Sequence, residues 1–173
     1  PGTVVNASAR LIIPGFGEIK LYENSGLINS SNSSIFLVKN YTSLGTFVWD
    51  VVYLGNQNYS GSNDSFRIDV IDLGSPLYSD LKVSPNSPSV YQPGRNYFFN
   101  ATWTDNIGMD EVIFEFNGIN YSNSEGEVLN NSNEYYFSIS DLAAGNYYYR
   151  WYGNDTSGNM IFSPQQTYVV QKR

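Results

Sequence analysis

Apolar and polar residues alternate with a period of two along most of this chain, in short bursts punctuated by Asn, Gly, Ser and Pro. Such alternation marks a strand with one buried face, because successive side chains of an extended backbone point to opposite sides. In the second half Tyr97, Phe99, Ala101 and Trp103 alternate with Phe98, Asn100, Thr102 and Thr104. Val112, Phe114 and Phe116 alternate with Ile113, Glu115 and Asn117. Tyr135, Phe137 and Ile139 form a third run, and Tyr147, Tyr149 and Trp151, set against Tyr148, Arg150 and Tyr152, a fourth. A closing strand is expected within 161–170, where Pro164, lacking an amide to donate, points to an edge position or a bulge. In the first half strands are expected over 3–13, 18–23, 34–39, 46–53 and 64–71. Turns are expected at Gly15-Phe16-Gly17, Asn24-Ser25-Gly26, Gly55-Asn56-Gln57-Asn58 and Gly61-Ser62-Asn63-Asp64. No segment sustains the 3.6-residue stripe of an amphipathic helix. The pattern predicts an all-β chain.

The stretch Asp72-Leu73-Gly74-Ser75-Pro76 interrupts the strand signals and separates the halves. Two domains are therefore expected, 1–72 and 77–173, joined by a short linker at 73–76. A length of 173 residues suits one large or two small domains.

Composition narrows the function more by exclusion than by pointing. The hydrophobic fraction is 41%, with 15 Tyr, 10 Phe and 3 Trp, which is ample for real cores. A net charge of −7 and nine scattered basic residues argue against nucleic acid and anionic membrane surfaces, both of which reward Lys/Arg clusters. Cysteine and histidine are both absent. That removes thiol chemistry, the commonest general base and the commonest transition-metal ligand. No apolar run is long enough for a membrane-spanning helix, so no membrane insertion is expected. The chain opens Pro1-Gly2-Thr3 without Met, as expected of a mature product or an excerpt of something longer.

Ten Asn-x-Ser/Thr sequons stand out, at Asn6, Asn29, Asn32, Asn40, Asn58, Asn63, Asn100, Asn120, Asn130 and Asn154. With 21 Asn and 29 Ser plus Thr in the chain, chance placement gives roughly three or four such triplets. The excess points to an exported, cell-surface protein carrying covalent N-glycans. Asn6 and Asn100 fall on the outward parity of their expected strands, and Asn58, Asn63 and Asn120 in turns.

Three motifs carry a family resemblance. Leu142-Ala143-Ala144-Gly145-Asn146-Tyr147 matches the L-x-x-G-x-Y pattern of a tyrosine corner. Asn154-Asp155-Thr156-Ser157-Gly158-Asn159 resembles a D-x-x-G-N turn, and Asp105-Asn106-Ile107-Gly108-Met109-Asp110-Glu111-Val112 the turn before it. Together they resemble the tandem immunoglobulin-like repeats of prokaryotic surface proteins and adhesins. The resemblance implies that Leu142, Gly145 and Tyr147 build the corner, with the Tyr147 hydroxyl bonded to upstream backbone. In the first half the segments 18–26 and 44–59 resemble a related repeat, but Phe47 replaces the corner tyrosine. Only about five strands are legible there, whereas such a sandwich needs about seven. The fold expected is therefore two tandem immunoglobulin-like β-sandwiches, the first short of an edge strand. That strand comes either from upstream sequence or from a neighbouring subunit.

Candidate chemistry is thin. Carboxylates cluster at Asp105, Asp110, Glu111 and Glu115 and, with Asp155 and the Asn154 carbonyl, offer hard oxygens for a calcium ion. The alternative is a turn Asp capping its own backbone beside solvated acids on an outer strand face, and no EF-hand spacing is present. Asp69 and Asp72 are weaker candidates. No pair of acids is singled out for glycoside hydrolysis, so no enzyme is expected. Tyr148 and Tyr152, with Tyr136 on the strand before, offer either a sugar-stacking platform or a sheet-packing or protein-contact face. Gly15 and Gly17 precede a strand, not a helix, and are turn residues. The function expected is a structural building block of an extracellular fibre, stalk or surface layer. It self-associates through strand edges or Tyr-rich faces with copies of itself or neighbouring surface modules. The alternative is a ligand-binding adhesin or carbohydrate-binding module.

Overall fold

The computed structural model describes residues 2–173. The chain forms two compact units, Pro1–Asp72 and Leu73–Arg173. Both are all-β, with no helix among the described residues.

The first unit contains β1 (Thr3–Arg10), β2 (Ile19–Glu23), β3 (Gly26–Ser31), β4 (Ser34–Tyr41), β5 (Gly45–Gly55) and β6 (Ser60–Val70). Strands β1 and β4 pair antiparallel as a two-stranded sheet, while the order β3-β2-β5-β6 makes a four-stranded one. Their inner faces meet in a core of Leu11, Ile35 and Tyr41 against Ile19, Leu21, Trp49 and Tyr53.

Six strands are present where five are expected, and β3 is the addition. Its sequence, Gly-Leu-Ile-Asn-Ser-Ser, alternates too weakly to read as a strand. The turn before it carries the signal. Asn24 and Ser25 both have positive φ (46° and 69°), the two-residue hairpin geometry whose twist matches the flanking strands. Strand β6 also starts earlier than expected, at Ser60, absorbing Gly61, Ser62 and Asn63. A Cβ on Gly61 would lie 2.9 Å from the Tyr53 and Leu54 carbonyl oxygens, so only glycine permits this close pairing with β5. The turn proper shrinks to the residues after Gly55, where the Asn56 Oδ1 accepts the Asn58 and Tyr59 amides at 2.9 and 3.0 Å.

The second unit contains β7 (Leu77–Ser84), β8 (Ser89–Val90), β9 (Asn96–Thr104), β10 (Met109–Phe116), β11 (Ile119–Ser122) and β12 (Leu129–Asn131). It continues through β13 (Glu134–Ser140), β14 (Gly145–Asp155), β15 (Met160–Phe162) and β16 (Gln166–Gln171). One sheet has the order β12-β13-β9-β7 and the other β11-β10-β14-β16-β8, with β15 also on β14. Pro164 sits between β15 and β16, which both pair with β14, so it breaks one long strand into two pieces.

The alternating residues of β9, β10 and β14 form the second core. Phe114 lies at its centre, with ring centroids 4.6 Å from Trp151, 4.8 Å from Phe137 and 5.0 Å from Phe99. Each such ring, fully buried, contributes roughly 1.5–3 kcal/mol from area alone. This unit is a closed sandwich with a continuous aromatic core.

Candidate functional site

The first unit does not close in the same way. Strand β1 pairs only with β4, and β6 only with β5, so each has an edge unpaired by the described strands. Between them runs a groove of about 300 Å³, lined by Ala9 of β1 and Leu11 just beyond it, Val51 and Tyr53 of β5, and Asp64 and Phe66 of β6. Its apolar floor continues into a recess against Ala7, Ile35 and Trp49. Phe66 records what is missing. It pairs directly with Trp49 and shares its inward parity, yet Trp49 is 1% exposed and Phe66 51%. Strands lie about 4.8 Å apart within a sheet, so a two-stranded layer cannot cover a four-stranded one. The deficit lies in the β1–β4 sheet, and its open side adjoins an inward-facing phenylalanine.

A polar hub ties the two sheets of this unit together. Glu23 of β2 accepts hydrogen bonds from Tyr41 Oη of β4 at 2.7 Å and Trp49 Nε1 of β5 at 3.3 Å, and forms an ion pair with Lys39 of β4. Burial pushes the Glu23 carboxyl up, but the bonds from Lys39, Tyr41 and Trp49 outweigh it and hold it below the usual range. Burial and the Glu23 charge together push the Tyr41 phenol up. Sequence reasoning missed this hub, which has no local motif.

None of the ten sequon asparagines is sealed inside. Seven are exposed, and Asn29, Asn100 and Asn154 are half-buried. Asn6 of β1 and Asn40 of β4 point outward from the two-stranded sheet. Asn63 lies within β6 and Asn120 within β11, not in turns, and both are exposed. Asn58 and Asn32 occupy loops, and Asn130 lies on β12. Asn29 pairs across from buried Leu21, but sits on an edge strand and so keeps partial access to water. The Asn100 amide, the group a sugar would modify, donates to Glu134 at 3.1 Å.

In the second unit the Tyr147 hydroxyl donates to the Ala143 carbonyl oxygen at 2.7 Å. Leu142 is buried beside it, and the space above Gly145 is filled by the Tyr147 ring, 3.9 Å from where a Cβ would stand. Tyr147→Phe is expected to cost this unit about 1 kcal/mol, the usual net worth of one hydrogen bond, in chemical denaturation. No measurable loss would mean the bond does not matter.

Asp105 and Asp155 act here as turn caps. Asp105 Oδ2 accepts the Ile107 and Gly108 amides at 2.7 and 3.0 Å. Asp155 Oδ1 accepts the Ser157 and Asn159 amides, both at 2.8 Å. Carboxylate oxygens of the two residues come within 4.8 Å of each other. Asp155 Oδ2 accepts from the Asn159 side-chain amide at 2.8 Å, whereas Asp105 Oδ1 is buried without a hydrogen-bond partner. Asp69 is likewise engaged, by Thr46 Oγ1 at 2.6 Å and Arg67 Nε at 2.9 Å.

The tyrosine platform is not assembled. Tyr136 lies on β13, in the sheet opposite to β14, so it cannot share a face with Tyr148 and Tyr152. Tyr152 is also committed, its hydroxyl donating to Glu115 at 2.5 Å and its ring lying 4.9 Å from the Arg150 guanidinium carbon. Tyr148 alone remains largely free, at 50% exposure.

The engaged carboxylates set a pH dependence. Hydrogen bonds from Ser122 and Ser124 hold Glu111 below its usual range, and the bonds from Tyr152 and Arg150 do the same for Glu115. Burial raises Asp155, yet the Asn159 and backbone bonds outweigh it and lower it overall. A carboxyl lowered in the folded state contributes stability that is complete above its unfolded pKa and lost as pH falls through its folded value. The melting temperature of the second unit is therefore expected to be flat from neutrality to about pH 5 and to fall below about pH 4. Circular-dichroism melts that rise on acidification from pH 5 to pH 3 would contradict this.

No protein-family model matches the chain, and no curated protein matches it in sequence. Among solved structures, the titin domains z1z2 in complex with telethonin are 13% identical, with 99% of this chain and 90% of that chain covered and a TM-score of 0.52. The fibronectin(III)-like modules of Clostridium thermocellum CbhA are 16% identical over 99% of this chain and 87% of that one, at a TM-score of 0.46. A bacterial ice-binding adhesin is 14% identical over 99% of this chain and 59% of that one, at a TM-score of 0.36. At 13% identity the titin likeness speaks to fold alone: with the observed strand order, the chain is built of immunoglobulin-like β-sandwiches, the first short of an edge strand.

Proposed function

We propose that this chain is a structural building block of an extracellular fibre, stalk or surface layer, and that it joins neighbouring copies by accepting a β-strand beside β1. The half-exposed, inward-facing Phe66 carries the proposal. An added strand pairs its backbone with the open β1 edge and lays alternate apolar side chains over Phe66, Val51 and Ala9, so hydrogen bonding and hydrophobic burial act together. The rim offers both signs of charge, Arg10 on β1 and Asp64 on β6, so the groove selects by backbone and shape more than by net charge. The role is mechanical: sandwiches linked in series bear load, and sugars on the sequon asparagines keep other surfaces from pairing sideways. An adhesin or carbohydrate-binding role would need a defined aromatic or calcium site, and of the tyrosines that suggested a platform Tyr136 stands on the sheet opposite to Tyr148 and Tyr152.

Negative-stain microscopy and light scattering on the full chain test the proposal. Filaments or concentration-dependent oligomers are expected, and Phe66→Ser is expected to suppress them while leaving the far-ultraviolet β signature intact. A monomer at every concentration, with a cooperatively folded first unit, would overturn it.

A further inference from the structure

Strand β4 breaks the alternation that the rest of the chain keeps. Its Ile35-Phe36-Leu37-Val38 run is apolar on both faces, a pattern normally seen where a strand is covered on both sides. Ile35 and Leu37 face the core, whereas Phe36 and Val38 point outward at 69% and 54% exposure. Across on β1, the outward Val4 is 59% exposed. The β1–β4 sheet therefore carries an apolar outer face that no described residue covers.

The register of this sheet shows what stands among those side chains. Asn6 pairs directly with Val38, and Asn40 directly with Val4. Ser8 pairs with Phe36, which places Phe36 diagonal to Asn6 on the same face. Directly opposed residues of an antiparallel pair hold their Cβ atoms about 4.5–5.5 Å apart, and diagonal neighbours about 7–8 Å. The two sequon asparagines and the three apolar side chains thus interleave like a checkerboard. Of the other strand-borne sequons, Asn120 pairs with Glu115 and Asn100 with Lys82 and Tyr136, while Asn154 pairs with Glu111 and Met160, Asn63 with Val52, Asn130 with Tyr135 and Asn29 with buried Leu21. The β1–β4 sheet sets two sequons on one face among exposed apolar side chains.

From this juxtaposition we infer that N-glycans on Asn6 and Asn40 form the outer cover of the β1–β4 sheet, lying over Val4, Phe36 and Val38. The first sugar of an N-glycan has an apolar face of C–H groups, and a pyranose ring is broad enough to reach from its asparagine across a neighbouring strand. Sugar laid on Val38 and Phe36 removes apolar area from water, so glycosylation at these two sites is part of the folded unit and not only a coat. The cover also leaves the β1 edge open for strand pairing, because the glycans occupy the face and not the edge.

This inference rests on the reading that the sequons are glycosylated, and the test separates the two. The full chain is made in an N-glycosylating host, and glycopeptides are mapped site by site. Ser8→Ala with Thr42→Ala removes both sequons while keeping both asparagines. This double variant is expected to lower the unfolding midpoint of the first unit by roughly 4–8 °C and to raise binding of an apolar dye. Adding Phe36→Thr and Val38→Thr is expected to abolish the extra dye binding, a rescue that a merely structural role for Ser8 or Thr42 would not give. Sugar at other sequons with Asn6 and Asn40 bare overturns this inference alone, whereas ten unmodified sequons overturn the glycosylation reading as well. An unchanged midpoint and dye signal in the double variant also overturns it. So does protection of the face, in assembled material with bare Asn6 and Asn40, by another protein chain.

Discussion

Gly153→Ala is expected to destabilise the second unit by about 3 kcal/mol or more, at the upper end of overpacking costs. A Cβ on Gly153 would stand 2.4 Å from the Trp103 Cε3 and Cζ3 atoms and 3.0 Å from its Cδ2. Those are ring atoms of a side chain with 0% exposure, packed in turn against Tyr78 at a centroid distance of 5.3 Å. The indole cannot rotate away without opening the core, and β14 cannot withdraw without breaking its pairing with β10 at Val112. The melting temperature of this unit is expected to fall by roughly 12–24 °C, since about 1 kcal/mol moves a domain of this size by 4–8 °C. Trp103→Phe should make room, so the cost of Gly153→Ala in that background is expected to be smaller. A shift of only a few degrees in the single variant would mean that β14 and β9 do not approach as described.

Glu23→Ala is expected to be the most damaging polar substitution in the first unit, at about 2–4 kcal/mol. The Glu23 side chain is 11% exposed, and its removal orphans three donors from two other strands at once. Glu23→Gln keeps an acceptor without the charge and is expected to recover about half of the loss. Because folded domains are stable by only about 5–15 kcal/mol, and this core is small, the alanine variant should leave the first unit partly unfolded at physiological temperature. The check is calorimetry of the full chain, where the transition of the second unit should not move. Equal stability of Glu23→Ala and wild type would mean that the hub does not hold the two sheets of this unit together.

What could be read from the sequence divides along physical lines. Strands β9, β10, β13 and β14 are legible because each buries one face under aromatic residues, so the period of two is unbroken. Strands β3, β8, β11 and β12 are not, because they are short and lie at sheet edges, with little apolar contrast between faces. Even there the turns speak: Asn117-Gly118 between β10 and β11 has positive φ at both residues, as does Asn24-Ser25. The shortage of strands in the first half is visible as a count, but which sheet lacks one depends on pairing between distant segments. The Glu23 hub is illegible for the same reason, since its partners lie 16, 18 and 26 residues away. The tyrosine platform fails on that point too. Tyr136 and Tyr148 are close in sequence and outward in parity, yet the chain crosses to the other sheet between them. The outward run of β4 is legible as an anomaly, and only the register reveals which asparagines it faces.

Hydrogen exchange across residues 3–11, compared between dispersed and assembled material, reads whether the β1 edge is open and whether a neighbour fills it. A strand paired on one side presents alternate amides to water on the other. In the dispersed chain those amides should exchange fast beside slow neighbours bonded to β4, and on assembly the fast set should become protected. Assembly that leaves the fast amides of β1 unprotected, or uniform slow exchange in the dispersed chain, would contradict an open edge that receives its strand from a neighbour.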